Sequence, residues 1–230
     1  MSDDAKGTVV IVLSAVEVLE MGTPAQRMVA EQLRPHGVTD ERVLQAMASV
    51  PREEFLAPRM RRHAYEDRAL AIECGQTISQ PLVVALMIQA VALQPDDAAL
   101  EVGTGSGYAA AVLSRLCRKV ITIEREPALA EHASEVLRRL GFDNVEVAVG
   151  DGSLGWPAEA PYDVILVAAA ARDVPAALIK QLGDRGRMVI PVSVGNDEPQ
   201  DLRVYERRGD EVSYRSLFPV LFVPLRTGEL

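Results

Sequence analysis

Residues 98–124, AALEVGTGSGYAAAVLSRLCRKVITIE, leave this chain little freedom of fold. Residues 98–102 are a short apolar run that carries the acid Glu101. Gly103, Gly105 and Gly107 follow at alternate positions. Ala109, Val112, Leu113 and Leu116 then recur at helical spacing, residues 120–123 are all β-branched, and Glu124 closes the stretch. The pattern predicts strand, glycine turn, helix and strand, one complete βαβ unit. Glycines at such a turn let the chain bend tightly and let a ligand approach the backbone. An acid about 20 residues beyond the first glycine, at the tip of the second strand, is placed to accept hydrogen bonds from a ribose.

The spacing is G-x-G-x-G, not the dinucleotide pattern G-x-G-x-x-G. A dinucleotide fold seats a pyrophosphate on the helix N-terminus, and Glu101 just before the turn would repel one. S-adenosylmethionine, whose methionine end carries an ammonium, suits the acid better than NAD. A tight turn with no ligand is the bland alternative.

The rest of the chain supplies the other layers. Residues 24–33 predict a short helix, and Thr39 or Asp40 can cap a second one that carries Val43, Leu44 and Met47 and stops at Pro51. Residues 52–68 are dense in charge, with Phe55, Leu56, Met60 and Tyr65 as anchors, and read as a solvated face. The polar run 75–81, GQTISQP, leads into an apolar helix over 82–93, with Pro81 at its first position and Ser79 or Gln80 as cap. By itself that run reads as a capping turn. Residues 127–140 predict an amphipathic helix ended by Gly141, and Val145, Val147 and Val149 alternate as a strand. Asp151, before Gly152, stands where an acid would bond an adenine amino group, or where a plain Asp-Gly turn would sit. Residues 162–169 read as a buried parallel strand, a helix follows Asp173 and Pro175 and ends at Gly183, and 187–192 form the fifth strand. Residues 202–206 and 211–214 then predict a hairpin, and the prolines at 219 and 224 make 218–225 an edge strand or strand ends.

Bulk properties narrow the classes. A chain of 230 residues suits one α/β domain with an accessory segment. A net charge of −9 argues against binding nucleic acid through phosphate neutralisation. Cys74 and Cys117 make neither a disulfide framework nor a zinc site, which fits a reducing cytoplasm. The apolar run 8–19 is too short to span a bilayer and is broken by Glu17, and Asp3 and Asp4 precede it where a signal peptide needs positive charge. No membrane role is expected.

Four stretches resemble the protein-L-isoaspartate O-methyltransferases of bacteria: 27–55, RMVAEQLRPHGVTDERVLQAMASVPREEF; 75–81, GQTISQP; 100–113, LEVGTGSGYAAAVL; and 162–182, YDVILVAAAARDVPAALIKQL. The ending 222–230, FVPLRTGEL, is similar too. The glycine motif says only class I methyltransferase; GQTISQP is far more specific, and with it Ser79 reads as a site residue. The resemblance implies a Rossmann-like, doubly wound, mainly parallel sheet with an antiparallel C-terminal strand, the last two strands exchanged in order, and an N-terminal helical segment. It divides one domain into an atypical extension at 1–23, a helical segment with the substrate and cofactor loop at 24–95, and the methyltransferase core at 96–230. It implies S-adenosylmethionine as methyl donor, S-adenosylhomocysteine as co-product, and the free carboxylate of isoaspartyl residues in damaged proteins and peptides as acceptor. The methyl ester closes to a succinimide, and hydrolysis returns part of it to aspartate. By the same resemblance Ser79 bonds the substrate carboxylate, and Gln76, Thr77 and Ile78 lie against the cofactor. Glu101, Gly103, Gly105 and Gly107 bound its methionine end, Glu124 takes the ribose hydroxyls with Arg125 following it in the cofactor site, and Asp151 and Gly152 meet the adenine.

That chemistry asks little of the chain. A carboxylate with a pKa near 3.5–4 is ionised at neutral pH, and the leaving thioether needs no acid. His36, His63 and His132 lie outside the matched motifs and read as non-catalytic. Departures from the family pattern fall at Cys74, Leu82, Ala168 and Ala171–Arg172. Those near 82 and 168–172 border the peptide side, and they leave open a methyltransferase of the same fold acting on another carboxylate. The oligomeric state is not legible.

Overall fold

The computed structural model describes residues 22–195 and 199–228. The apolar run 8–19, and with it most of the N-terminal extension, lies outside the described residues.

Strands β3 (Ala98–Val102), β4 (Lys119–Glu124), β5 (Val145–Val149), β6 (Tyr162–Val167), β7 (Leu182–Val192), β8 (Gln200–Arg208) and β9 (Glu211–Val220) form one sheet in the order β5-β4-β3-β6-β7-β8-β9. The pairs from β5 to β7 are parallel, β8 is antiparallel to both its neighbours, and so β8 alone runs against the rest. The last strands follow as a simple meander, the exchanged order expected from the resemblance. Alternate side chains of one strand point to opposite faces, and here both faces are apolar. Ala99, Val120, Val164 and Leu166 join one core cluster, while Leu100, Ile121, Ile165 and Val167 join the other. This is the signature of a sheet covered on both sides.

The first core also takes in α1 (Pro24–Met28), α2 (Glu41–Ser49), α3 (Pro81–Val91) and α4 (Tyr108–Ser114), so the N-terminal helices share the sheet's core. α5 (Pro127–Arg139) adds Val136 and Leu137 on the same face, whereas α6 (Ala176–Gln181) packs Leu178 and Ile179 on the other. Thr23 starts α1 with a reciprocal capping box to Gln26, and Asp40 caps α2 by accepting the Arg42 N–H at 2.9 Å. A two-stranded antiparallel ribbon, β1 (Leu70–Ala71) and β2 (Thr77–Ile78), holds the start of the GQTISQP segment.

Several boundaries differ from the sequence reading. α3 ends at Val91 because Ala92 turns left-handed at φ 47°. α6 ends at Gln181 and Gly183 lies inside β7, which pairs with β6 from Leu182. Residues 218–225 do not make a strand of their own. Phe218 to Val220 finish β9, and beyond them the chain keeps only an isolated bridge from Pro224 to Ala170. The run 52–68 is not a uniformly solvated face, because Arg52 is 0% exposed.

Candidate active site

The strand order reverses direction at β3, whose neighbours are β4 on one side and β6 on the other. In open parallel sheets the crevice at the carboxyl ends beside such a switch point is where ligands bind. A cleft of about 710 Å³ opens there. Its floor is the glycine turn with Glu101, Ile123 and Glu124; one wall is residues 76–80 with the first turn of α3; the other is residues 218–226. Ser79, Gln76, Thr77, Ile78, Glu101, Gly103, Gly105, Glu124, Arg125 and Gly152 all line it. Gly107 and Asp151 do not.

The turn geometry explains its glycines. Gly103, Gly105 and Gly107 sit at φ +93°, +53° and +88°, a region that costs an L-residue roughly 1–2 kcal/mol. A Cβ on Gly107 would also lie 3.3 Å from Ala133 Cβ and from Leu137 Cδ1 of α5. Gly107 therefore serves the cleft from outside it, by letting α4 start flush against α5.

The two acids of the floor are held in opposite ways. Glu124, 6% exposed, accepts the Gly105 N–H at 2.8 Å and the Glu126 N–H at 3.0 Å. One donor on each oxygen fixes the carboxylate and leaves further lone pairs open. Glu101 is fully buried. Its Oε2 accepts from the Thr122 hydroxyl at 2.6 Å, which in turn lies 2.7 Å from the Thr104 hydroxyl, while its Oε1 has no partner. Burial pushes the Glu101 carboxyl up to about 8, against the Thr122 hydrogen bond and with the help of the negative Glu124 nearby. An uncompensated buried carboxyl oxygen on the cleft floor is suited to a cation.

Asp151, like Glu124, is oriented by donors on both oxygens. Its Oδ1 accepts from the Ser153 N–H (2.9 Å) and hydroxyl (2.7 Å), and its Oδ2 from the Gly228 N–H (2.8 Å). Burial opposes its ionisation, but these bonds and nearby Arg125 hold its carboxyl below the usual range. Only its neighbour Gly152 reaches the cleft.

On the far wall, Ser79 is half-buried, and its hydroxyl has no hydrogen-bond partner among the described residues. Gln80 is the N-cap of α3 but its side chain makes no capping bond, and Pro81 opens the helix. The first-turn N–H groups beside Ser79 thus lack a side-chain cap. The tail is stitched across the opposite lip. Val223 accepts the Ala170 N–H at 2.8 Å, Leu225 donates to Ala170 at 2.7 Å, and Arg226 pairs with Glu126 at 3.0 Å. None of the three histidines lines the cleft, and no cluster of metal-ligating side chains occurs among the described residues.

Some residues of the site escaped the sequence reading. Thr104, Ser106 and Tyr108 line the cleft between and after the glycines, and Thr122 supports Glu101 from β4. The interleaved positions of the glycine motif were the available signal; Thr122 looked like any β-branched strand residue.

Comparison with known proteins agrees with this geometry. The family model for protein-L-isoaspartate(D-aspartate) O-methyltransferase (PCMT) matches residues 24–230. The protein-L-isoaspartate O-methyltransferase of Roseiflexus castenholzii is 52% identical over 206 residues, 90% of this chain and 94% of that one. That of Protochlamydia amoebophila is 50% identical over 198 residues, 86% of this chain and 94% of its own length. Among solved structures, a protein-L-isoaspartate O-methyltransferase aligns with a TM-score of 0.79 at 30% identity, covering 88% of this chain and 66% of that one. A Plasmodium falciparum structure described as a putative enzyme of this kind, in complex with S-adenosyl-L-homocysteine, aligns at 0.76 and 26% identity, over 88% and 98% of the two chains. A switch-point cleft floored by a G-x-G-x-G turn and walled by GQTISQP, together with a family match from residue 24 to the last residue, means that the chain belongs to the protein-L-isoaspartate(D-aspartate) O-methyltransferase family.

Proposed function

We propose that this cleft transfers a methyl group from S-adenosylmethionine to the free carboxylate of L-isoaspartyl residues in damaged proteins and peptides. The observation that carries the reading is that Ser79, the glycine turn and Glu124 open onto one cavity. When bound, the cofactor supplies an electrophilic methyl on a positively charged sulfur. Toward it, Glu101 offers the unpartnered Oε1 to the ammonium of the methionine end. Glu124, already oriented by two N–H donors, offers its remaining lone pairs to the ribose hydroxyls. Gln76, with Thr77 and Ile78 of β2, closes over the cofactor, Arg125 and Gly152 border the nucleoside, and Asp151, oriented through Ser153 and Gly228, offers its remaining acceptor capacity to the adenine amino group.

Ser79 is the donor that holds one oxygen of the substrate carboxylate while the other attacks. The new O–C bond forms as the C–S bond breaks, and its electron pair neutralises the sulfur, so no proton moves. The absence of a histidine from the cleft fits this. What the chain contributes is alignment and exclusion of water. The ester then cyclises to a succinimide whose hydrolysis regenerates aspartate in part, which makes the reaction a repair. Residues 24–95 form the substrate-side wall and 96–230 the cofactor core of one domain. Partners are isoaspartyl proteins and peptides; the charge of −9 weighs against nucleic acid. Among the described residues no helix is long and apolar enough to cross a membrane, and Cys74 and Cys117 are free thiols, which supports a cytoplasmic setting.

A second acceptor, another peptide or small-molecule carboxylate, is favoured by one observation: the departures Leu82 and Ala168 both line the cleft. Transfer of labelled methyl to an isoaspartyl peptide, against its aspartyl twin, decides between them. Label in the isoaspartyl peptide alone supports the repair reading; cofactor binding without that transfer supports the second.

A further inference from the structure

Behind the wall that carries Ser79 lies Arg52, 0% exposed. Its Nε donates to the Ala64 carbonyl at 2.7 Å and its Nη2 to the Ser79 carbonyl at 2.7 Å. The guanidinium carbon stands 4.6 Å from the centroid of the Tyr108 ring. Nη1 has no hydrogen-bond partner, and no carboxylate lies within ion-pair distance of Arg52 among the described residues. Burial lowers its pKa, with Tyr108, then Tyr65 and the more distant carboxylate of Asp67, working the other way.

Such a site is a poor bargain for stability alone. Removing a cation from water is costly, and two carbonyls, a ring face and the more distant Asp67 offset that cost less than a contacting carboxylate would; an apolar side chain of similar volume is often the more stable choice. What an apolar side chain cannot do is grip two carbonyls with one planar fork. The two carbonyls belong to the end of the 52–64 segment and to the loop that carries Ser79. The ring under the guanidinium belongs to the first residue of α4, which itself lines the cleft. Because the peptide unit is planar and trans, turning the Ser79 carbonyl onto Arg52 also sets the direction of the Gln80 N–H, at the uncapped start of α3.

We propose that Arg52 is a positioning residue for methyl transfer: it fixes the Ser79–Gln80 peptide, and so the Ser79 hydroxyl, against the helix that rises from the glycine turn. The proposal rests on the reading of Ser79 as the carboxylate donor. The guanidinium stays charged throughout and exchanges no proton with substrate. Its effect is on how often the acceptor carboxylate is held in line, which is a kcat effect.

The test is a double-mutant cycle with Arg52→Met, Arg52→Lys and Ser79→Ala, following turnover of an isoaspartyl peptide, calorimetric affinity for S-adenosylhomocysteine, and thermal unfolding. Arg52→Met is expected to lower kcat by about 10–100-fold, the scale of a lost hydrogen bond to a charged group, and Arg52→Lys by less, since an ammonium can hold one carbonyl. Both should keep cofactor affinity within about 3-fold. In the Ser79→Ala background each should change kcat by less than about 2-fold, because coupled residues are not additive. Equal fold-losses in both backgrounds, or unchanged kcat in Arg52→Met, overturn the proposal and leave Ser79's role intact. Unchanged turnover in Ser79→Ala alone overturns that role, and the proposal with it. Should Arg52→Met fail to fold, Arg52→Lys carries the same cycle.

Discussion

Glu101 makes the sharpest demand on experiment, because its two possible charges predict opposite behaviour. In the free protein its carboxyl is pushed up to about 8 from 4.5 by burial, while Thr122 opposes the rise and Glu124 adds to it. At about 1.4 kcal/mol per pH unit, that interval amounts to roughly 5 kcal/mol against ionising Glu101 in the folded state. Between pH 4.5 and about 8 the folded chain thus keeps a proton that the unfolded chain gives up. Stability contributed by this group is complete below pH 4.5 and drains away as pH rises to about 8.

The cofactor should reverse the balance. An ammonium seated on Oε1 favours the carboxylate, so binding at pH 7 must expel a proton from Glu101, about 0.9 of one for a group titrating near 8. Calorimetry of S-adenosylhomocysteine binding in two buffers of different ionisation enthalpy reads that number directly. Affinity should rise about ninefold from pH 6 to 7 and about fivefold from pH 7 to 8, levelling off above. Glu101→Gln should bind more weakly, release no proton, and lose the pH slope of both affinity and unfolding. If wild type releases no proton at pH 7, or if Glu101→Gln releases as many, the carboxyl is not the ammonium's partner and the argument fails.

Three further substitutions probe the remaining parts. Ser79→Ala should cut kcat by about 10–100-fold, with S-adenosylhomocysteine affinity within about 3-fold; parallel losses in both would contradict a positioning donor. Glu124→Ala should weaken the cofactor by about 1.5–3 kcal/mol, or roughly 10–150-fold in Kd, since it removes the ribose acceptor and frees the Gly105 N–H; normal affinity would move the ribose elsewhere. Gly107→Ala should lower stability by about 1–3 kcal/mol through left-handed strain and contact with Ala133 and Leu137; an unchanged denaturant midpoint would deny that α4 needs glycine there.

What could be read from the sequence was whatever depends on near neighbours. The βαβ unit announces itself because its periodicities, its glycines and its closing acid all lie within residues 98–124. The inner parallel strands read well because they are buried on both faces, and the edge strand β5 because its valines alternate. The misses share one cause. Arg52 sits in a charged run, and local pattern cannot see that Ala64, Ser79 and Tyr108 converge on it. Nor can it see that Asp151 Oδ2 accepts from the Gly228 N–H, 77 positions onward, which ties the tail to the end of β5. Residues 221–225 are apolar because they run beside the cleft, and apolar character signals burial or contact, not a ladder. Pro224 has no N–H with which to continue one.

The cleft divides its labour by how much of each group's charge the protein has already met. Glu124 has backbone donors on both oxygens before any ligand arrives, so it can act as a fixed acceptor for neutral hydroxyls with little reorganisation. Glu101 is left one oxygen short, at the bottom of a buried relay of two threonine hydroxyls, and only a cation completes it. On the acceptor side the arrangement is the reverse: donors, in the Ser79 hydroxyl and the uncapped first turn of α3, suited to an incoming anion, with Asp67 and Arg68 of opposite charge also lining the cleft. Cation-seeking floor and anion-seeking wall face each other across one cavity. A positively charged methyl donor and a carboxylate acceptor are thereby selected by the same electrostatics that bring them into line, and after transfer the sulfur and the ester are both neutral. The attraction that assembled the pair is then largely gone, which favours release of the products without any residue having to move a proton.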